Sequence, residues 1–172
     1  YERNLDDPRV QHALTLEVDA FGNVLKAAAI GYGRRQADLS LPLQVDRDKQ
    51  TKSLITYTES RVTNPIDDVL DVYRTPLPCE TRTYELANYI PSGATGRFQN
   101  SDFVQAAGDP LTHIFDIEIN YEDPPTSDKS RRLIEHVRTL YRGDDLTSLL
   151  PLGQVEPQAL PGESYKLAFT PG

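Results

Sequence analysis

Tryptophan and methionine are absent from these 172 residues, cysteine occurs once, and basic residues are outnumbered. No apolar run approaches the ~18 residues that a membrane-spanning helix needs, so no helical span is expected. A gene product starts with Met, and a chain with none, opening on Tyr1, is expected to be a piece of something longer. The single cysteine, Cys79, cannot form an internal disulfide or a cysteine-rich metal site. With Pro78 and Glu80 beside it and no basic neighbour to lower its pKa, it reads as a structural thiol of a reducing folding compartment. Lys and Arg total 18 against 26 acidic residues, a net charge of −8. Nucleic-acid binding is therefore not expected, because it needs clustered cations to displace counterions from phosphates. An anionic membrane surface would repel the chain for the same reason, so direct membrane insertion is not expected either.

What is present is punctuation. Thirteen prolines and ten glycines cut the chain into short pieces, the habit of a β-rich protein. Hydrophobic residues make up only 38%, which predicts an incomplete core that leans on neighbouring chain. Leu14, Leu16 and Val18 alternate with Thr15, Glu17 and Asp19, and residues 19–23 supply turn chemistry before a return strand over 24–30. Residues 34–52 are polar apart from a short apolar piece at 39–45. Strands are expected over 53–62, 80–86, 111–121 and 164–169. In the strand over 80–86, Arg82, Tyr84 and Leu86 share a face. A loop is expected at Asn64-Pro65 and Asp67-Asp68. Residues 88–101 form the best internal linker, a possible break within a single segment spanning 1–172. A short helix is expected at 102–107, capped by Ser101 and ended by Gly108. One medium helix is expected over 130–142, from the recurrence of Leu133, Val137 and Leu140, with Ser127 or Asp128 as cap and Gly143 as stop. The fold class is mainly β: antiparallel strands and hairpins with that one helix.

No constellation for chemistry emerges. There is no G-x-S-x-G elbow and no P-loop, and Gly31-Tyr32-Gly33 lacks the third glycine of a dinucleotide fingerprint. His12, His113 and His136 stand far apart, in no metal-ligand spacing. The acid pairs Asp6-Asp7, Asp67-Asp68 and Asp144-Asp145 lack a calcium-loop pattern and read as solvated loop acids. Arg34-Arg35 and Arg131-Arg132 read as surface ion-pairing residues rather than cleavage sites. The nine tyrosines read as cross-strand packing residues. No catalytic, cofactor-binding or metal-binding residue is assigned, and no cofactor is expected.

Several long strings nevertheless resemble one family. They are LTLEVDAFGNVLKAAAIGYGRR (residues 14–35), ITYTESRVTNPID (55–67), YRTPLPCETRTYEL (73–86), RRLIEHVRTLYRGDDLTSLLPLG (131–153) and ALPGESYKLAFTPG (159–172). Together they resemble the C-terminal middle region of the TcaC/TcdB-type B component of bacterial Tc insecticidal toxins, related to Rhs/SpvB-containing toxin proteins. In such toxins the A component is a pentameric channel. The B and C components form a hollow shell of Rhs/YD-type strands around the toxic part of C. LTLEVDAFGN looks like a degenerate YD-repeat hairpin without the tyrosine before Asp19. The resemblance implies a secreted, non-enzymatic structural segment, partnered by the C and A components through the full-length B chain. A wall segment cut loose would expose strand edges and is expected to pair or oligomerise. Two other classes stay open: a module that binds a host glycan or surface protein, and a metal-dependent hydrolase.

Overall fold

The chain is described over residues 6–103 and 117–168 by a computed structural model. One seven-stranded sheet organises it, in the order β1-β2-β3-β4-β6-β5, with β7 also on β6. The strands are β1 (Gln11–Val18), β2 (Val24–Gly31), β3 (Leu54–Val62), β4 (Pro78–Ala87), β5 (Ile117–Ile119), β6 (Ser130–Arg142) and β7 (Leu160–Lys166). Every pairing is antiparallel except β5 with β6. The mainly β class read from the sequence is borne out.

The hairpin β1–β2 forms where the alternation places it. The Asp19 carboxylate accepts the N–H groups of Phe21 and Asn23, each at 2.9 Å, and Gly22 takes the left-handed conformation at φ 84°. Side chains of paired residues share a face, so rows of the register become rows of the core. Ala28, Tyr57, Tyr84 and Leu133 make one row across β2, β3, β4 and β6; Ile30, Ile55 and Leu86 make the next. Residues 88–103 fold over these rows and drive Phe98 and Phe103 into them, at 3% and 1% exposure. Tyr32 clamps this segment down, because its hydroxyl accepts the Phe98 N–H at 2.8 Å. A second apolar cluster gathers Ile66, Cys79, Tyr141, Val155 and Ala159 under the loops that follow β3 and β6.

The helix expected over 130–142 is the longest strand instead, β6. Leu133, Val137 and Leu140 do fall at helical spacing, but in β6 Ile134 is an extra, bulged residue opposite Thr83 and Tyr84, which puts Leu133 on the Tyr84 face and Val137 on the Thr81 face. Ile134, Val137, Thr139 and Tyr141 favour a pleated strand. As a helix, Arg131-Arg132 would have sat at the positive end of the dipole. Pairing with β4, β5 and β7 outweighs the local preference.

A helix does form elsewhere: α1 (Gln44–Thr51), inside the stretch read as mostly polar, burying no residue. It lacks an apolar stripe and so gave no periodic signal. It is held by a Gln44–Asp48 side-chain bond at 2.7 Å and by the Arg34 N–H donating to the Gln50 carbonyl at 2.7 Å. The last strand starts four residues earlier than expected. At the expected helix of 102–107 a 3-10 turn, Asn100–Asp102, is capped by Gln99 rather than Ser101. Residues 104–107, and 111–116 of the expected strand 111–121, lie outside the described residues, as does Phe169.

Candidate functional site

Two features of the sheet stand out: an ionic cluster on one face and an open backbone edge. The cluster was not assigned from the sequence, whereas exposed strand edges were expected from the resemblance.

Cys79 and Glu80 are adjacent in β4 and both buried, yet they leave on different sides. Cys79 enters the second apolar cluster, its thiol donating to the Arg61 carbonyl at 3.3 Å, and burial pushes the thiol pKa up. Glu80 turns to the other face, where strand register brings four basic side chains around it. Arg61 and Arg138 are its cross-strand partners, and Arg82 pairs with His136 in the next row. Glu80 accepts from Arg138 Nε and His136 Nε2, both at 2.7 Å, and meets Arg82 Nη2 at 3.2 Å and Arg61 Nη1 at 3.3 Å. The Glu80 side chain is 2% exposed, whereas those of Arg61, Arg82 and Arg138 are 62%, 39% and 45% exposed.

Burial alone would raise the Glu80 pKa. Hydrogen bonds from Arg138 and His136 and the charges of Arg82 and Arg138 more than reverse this, holding it at about 2. An ionised carboxylate only accepts hydrogen bonds, so the 2.7 Å contact requires the proton on His136 Nε2. Arg82 Nε, 3.4 Å from the same nitrogen, is then a neighbour and not its donor. The arrangement orders charge around one buried carboxylate.

A second ionic group ties the strands further along this face. Lys26 meets Glu17 at 2.8 Å, and Arg131 meets Glu59 at 3.3 Å and Glu118 at 2.7 Å. The Arg131 guanidinium also lies over the Tyr84 ring, 4.3 Å from its centroid. On the other face, Arg132 meets Glu85 at 3.4 Å. Both members of the second arginine pair are thus ion-paired. Of the first pair, Arg34 donates to the Asp7 carbonyl at 2.7 Å, and the Asp7 carboxylate takes the Arg35 and Gln36 N–H groups. Hydrogen bonds from those two residues, led by Arg35, and the nearby arginines outweigh desolvation and lower the Asp7 pKa.

The histidines do not converge. His12 meets the Tyr32 hydroxyl at 3.2 Å, His136 serves Glu80, and His113 lies outside the described residues. Among the described residues, no group of three or more His, Cys, Asp or Glu side chains is placed to hold a metal. Asp144 and Asp145 are tied into their own loop, to the Gln158 N–H at 3.0 Å and the Thr147 N–H at 2.9 Å.

Among the described residues, the β1 edge of the sheet has no further strand beside it. The Val10 carbonyl points inward, accepting from Tyr32 N–H at 3.0 Å, and the Thr15 carbonyl points outward, accepting from the Asn100 side chain at 3.2 Å. Alternation then turns the backbone groups of Gln11 and Ala13 outward too. Beside them runs a shallow groove of about 430 Å³, lined on β1–β3 by residues including Gln11, Ala13, Ala29, Leu54 and Thr56.

The ionic cluster had a faint trace in the sequence. Glu80-x-Arg82 and His136-x-Arg138 alternate at strand spacing, but the second pair becomes visible only once 130–142 is read as a strand.

Residues 1–73 match the family model described as the insecticide toxin TcdB middle/C-terminal region. Over that stretch the chain is similar to the TcdB-type middle/C-terminal region. No curated protein matches it. Among solved structures, its fold is similar to a chain of the Photorhabdus luminescens Tc holotoxin pore carrying a TccC3 mutation. The TM-score is 0.59 at 21% identity, over 93% of this chain. This chain spans 7% of the length of that one. At that identity the likeness concerns the fold alone. Among the described residues, no helix is long and apolar enough to cross a membrane.

Proposed function

We propose that the chain is a structural segment of the B component of a secreted Tc toxin, part of the shell that encloses and delivers the C component. It acts through the full-length B chain, which meets the C component as shell partner and the A component as channel. It carries no catalysis of its own and needs no cofactor. The observation that carries this reading is the open sheet edge at β1 within a TcdB-type region. Gln11 and Ala13 present outward N–H and C=O groups, which a neighbouring strand of a continuous wall would pair. The sheet's own chemistry is consistent with a wall: its ordered charges link strand to strand rather than converge on a cavity.

Residues 1–172 act as one segment in this reading. Phe98 and Phe103 dock residues 88–103 onto the sheet, which supports treating that stretch as a cover rather than a hinge.

The deciding experiment co-expresses the parent B chain, with and without this segment, with a C component. A protease-resistant shell that forms only when the segment is present is expected; a shell of equal resistance without it refutes the proposal.

A further inference from the structure

The charges around Glu80 do not balance locally. Three guanidiniums face one carboxylate, in a chain whose overall charge is −8. Each arginine spends one nitrogen on Glu80: Nη1 of Arg61, Nη2 of Arg82, Nε of Arg138. Among the described residues, the outer Nη1 and Nη2 of Arg138 and the Nη2 of Arg61 meet no acceptor, leaving donor pairs suited to a second carboxylate. Glu80 is sealed beneath them and holds them in place, so the order of the patch is already established before anything binds.

We propose that Arg61, Arg82 and Arg138 form a docking surface for an acidic peptide segment of a protein partner. The size of the patch selects the occupant. Arg61, Glu80 and Arg138 lie in one cross-strand row, so the outer arginines are two strand spacings apart, about 10 Å. Arg82 lies two residues along β4, about 7 Å away. Glu59 on β3 and Glu163 beside Tyr165 on β7 bound the patch with negative charge. That leaves room for one or two carboxylates and repels a long, evenly charged polyanion such as a nucleic acid. His136 faces Glu80 from β6 and adds a further cation when protonated.

The inference is independent of the wall reading, because it concerns the face of β3, β4 and β6 and not the β1 edge. The test titrates the 172-residue chain into fluorescein-labelled hexaglutamate at low salt and follows anisotropy. Binding is expected, weakened about five- to tenfold in Arg61→Gln, as loss of one charged hydrogen-bonding group implies. It should be unchanged in Lys52→Gln, which removes a cation elsewhere. In the unmutated chain, hexaglutamate should protect Arg61 and Arg138 from phenylglyoxal, a reading that does not depend on any variant folding. No binding, no protection, equal weakening by both substitutions, or tighter binding of inorganic phosphate or a short DNA duplex would each overturn the proposal.

Discussion

Glu80→Gln removes the only anion from a cluster that keeps three guanidiniums. The side chain is 2% exposed, so the substitution leaves no room for water to replace the lost charge. The pKa provides the magnitude. It stands at about 2, against an unperturbed 4.5. At 1.36 kcal/mol per unit, the ionised form is favoured in the fold by about 3 kcal/mol. A depressed carboxylate pKa adds stability that is fully present above the unfolded value and lost as pH falls toward the folded one. The native chain should therefore lose about 3 kcal/mol between roughly pH 5 and pH 2 through this group. Glu80→Gln should start about 3 kcal/mol less stable at pH 7 and lack that part of the acid dependence. Urea titrations followed by far-UV circular dichroism at pH 7, 5, 4 and 3 measure both effects. A variant within ~1 kcal/mol of the native chain at pH 7, with an unchanged pH slope, would refute the reasoning, because the cluster would then be a solvated surface group.

Other parts of the structure give further expectations. Tyr32→Phe deletes the hydroxyl that takes the Phe98 N–H; a loss of about 1–2 kcal/mol is expected, with faster protease cleavage within 88–103. At Gly33 an added Cβ would lie 2.1 Å from the Thr51 carbonyl, so Gly33→Ala should displace the end of α1 and lower stability by about 1–3 kcal/mol in chemical denaturation. Thr81 and Val137 pair directly across β4 and β6, so the double substitution T81C/V137C should oxidise readily to a disulfide, detected by mass and gel mobility. Failure to cross-link would return residues 130–142 to a helix. The outward Gln11 and Ala13 amides should exchange with deuterium quickly in the isolated chain and slowly in the assembled B component; equal rates would count against pairing at the β1 edge.

The sequence showed some elements plainly and others not at all, and the difference is physical. The β1–β2 hairpin was legible because strict alternation, Asp19 and Gly22 all act within about ten residues of one another. The same is true of β3 and β4, whose β-branched and aromatic residues state their preference locally. Residues 130–142 were not legible. Leu133, Val137 and Leu140 fall at helical spacing, and only contact with β4, β5 and β7 makes the segment a strand. Helix α1 was missed because it buries nothing and therefore carries no stripe. The Glu80 cluster was missed because its members come from β3, β4 and β6, with 77 residues separating Arg61 from Arg138.

Composition and local pattern were enough for the mainly β class, the first hairpin, the structural character of Cys79 and the resemblance to a Tc toxin B component. These rest on short-range preferences, or on strings of residues, that exist before the chain folds. The sheet order, the strand at 130–142, the docking of Phe98 and Phe103, and the convergence of four basic groups on Glu80 came only with tertiary structure. Each depends on register between distant segments, which long-range pairing sets and no local window contains.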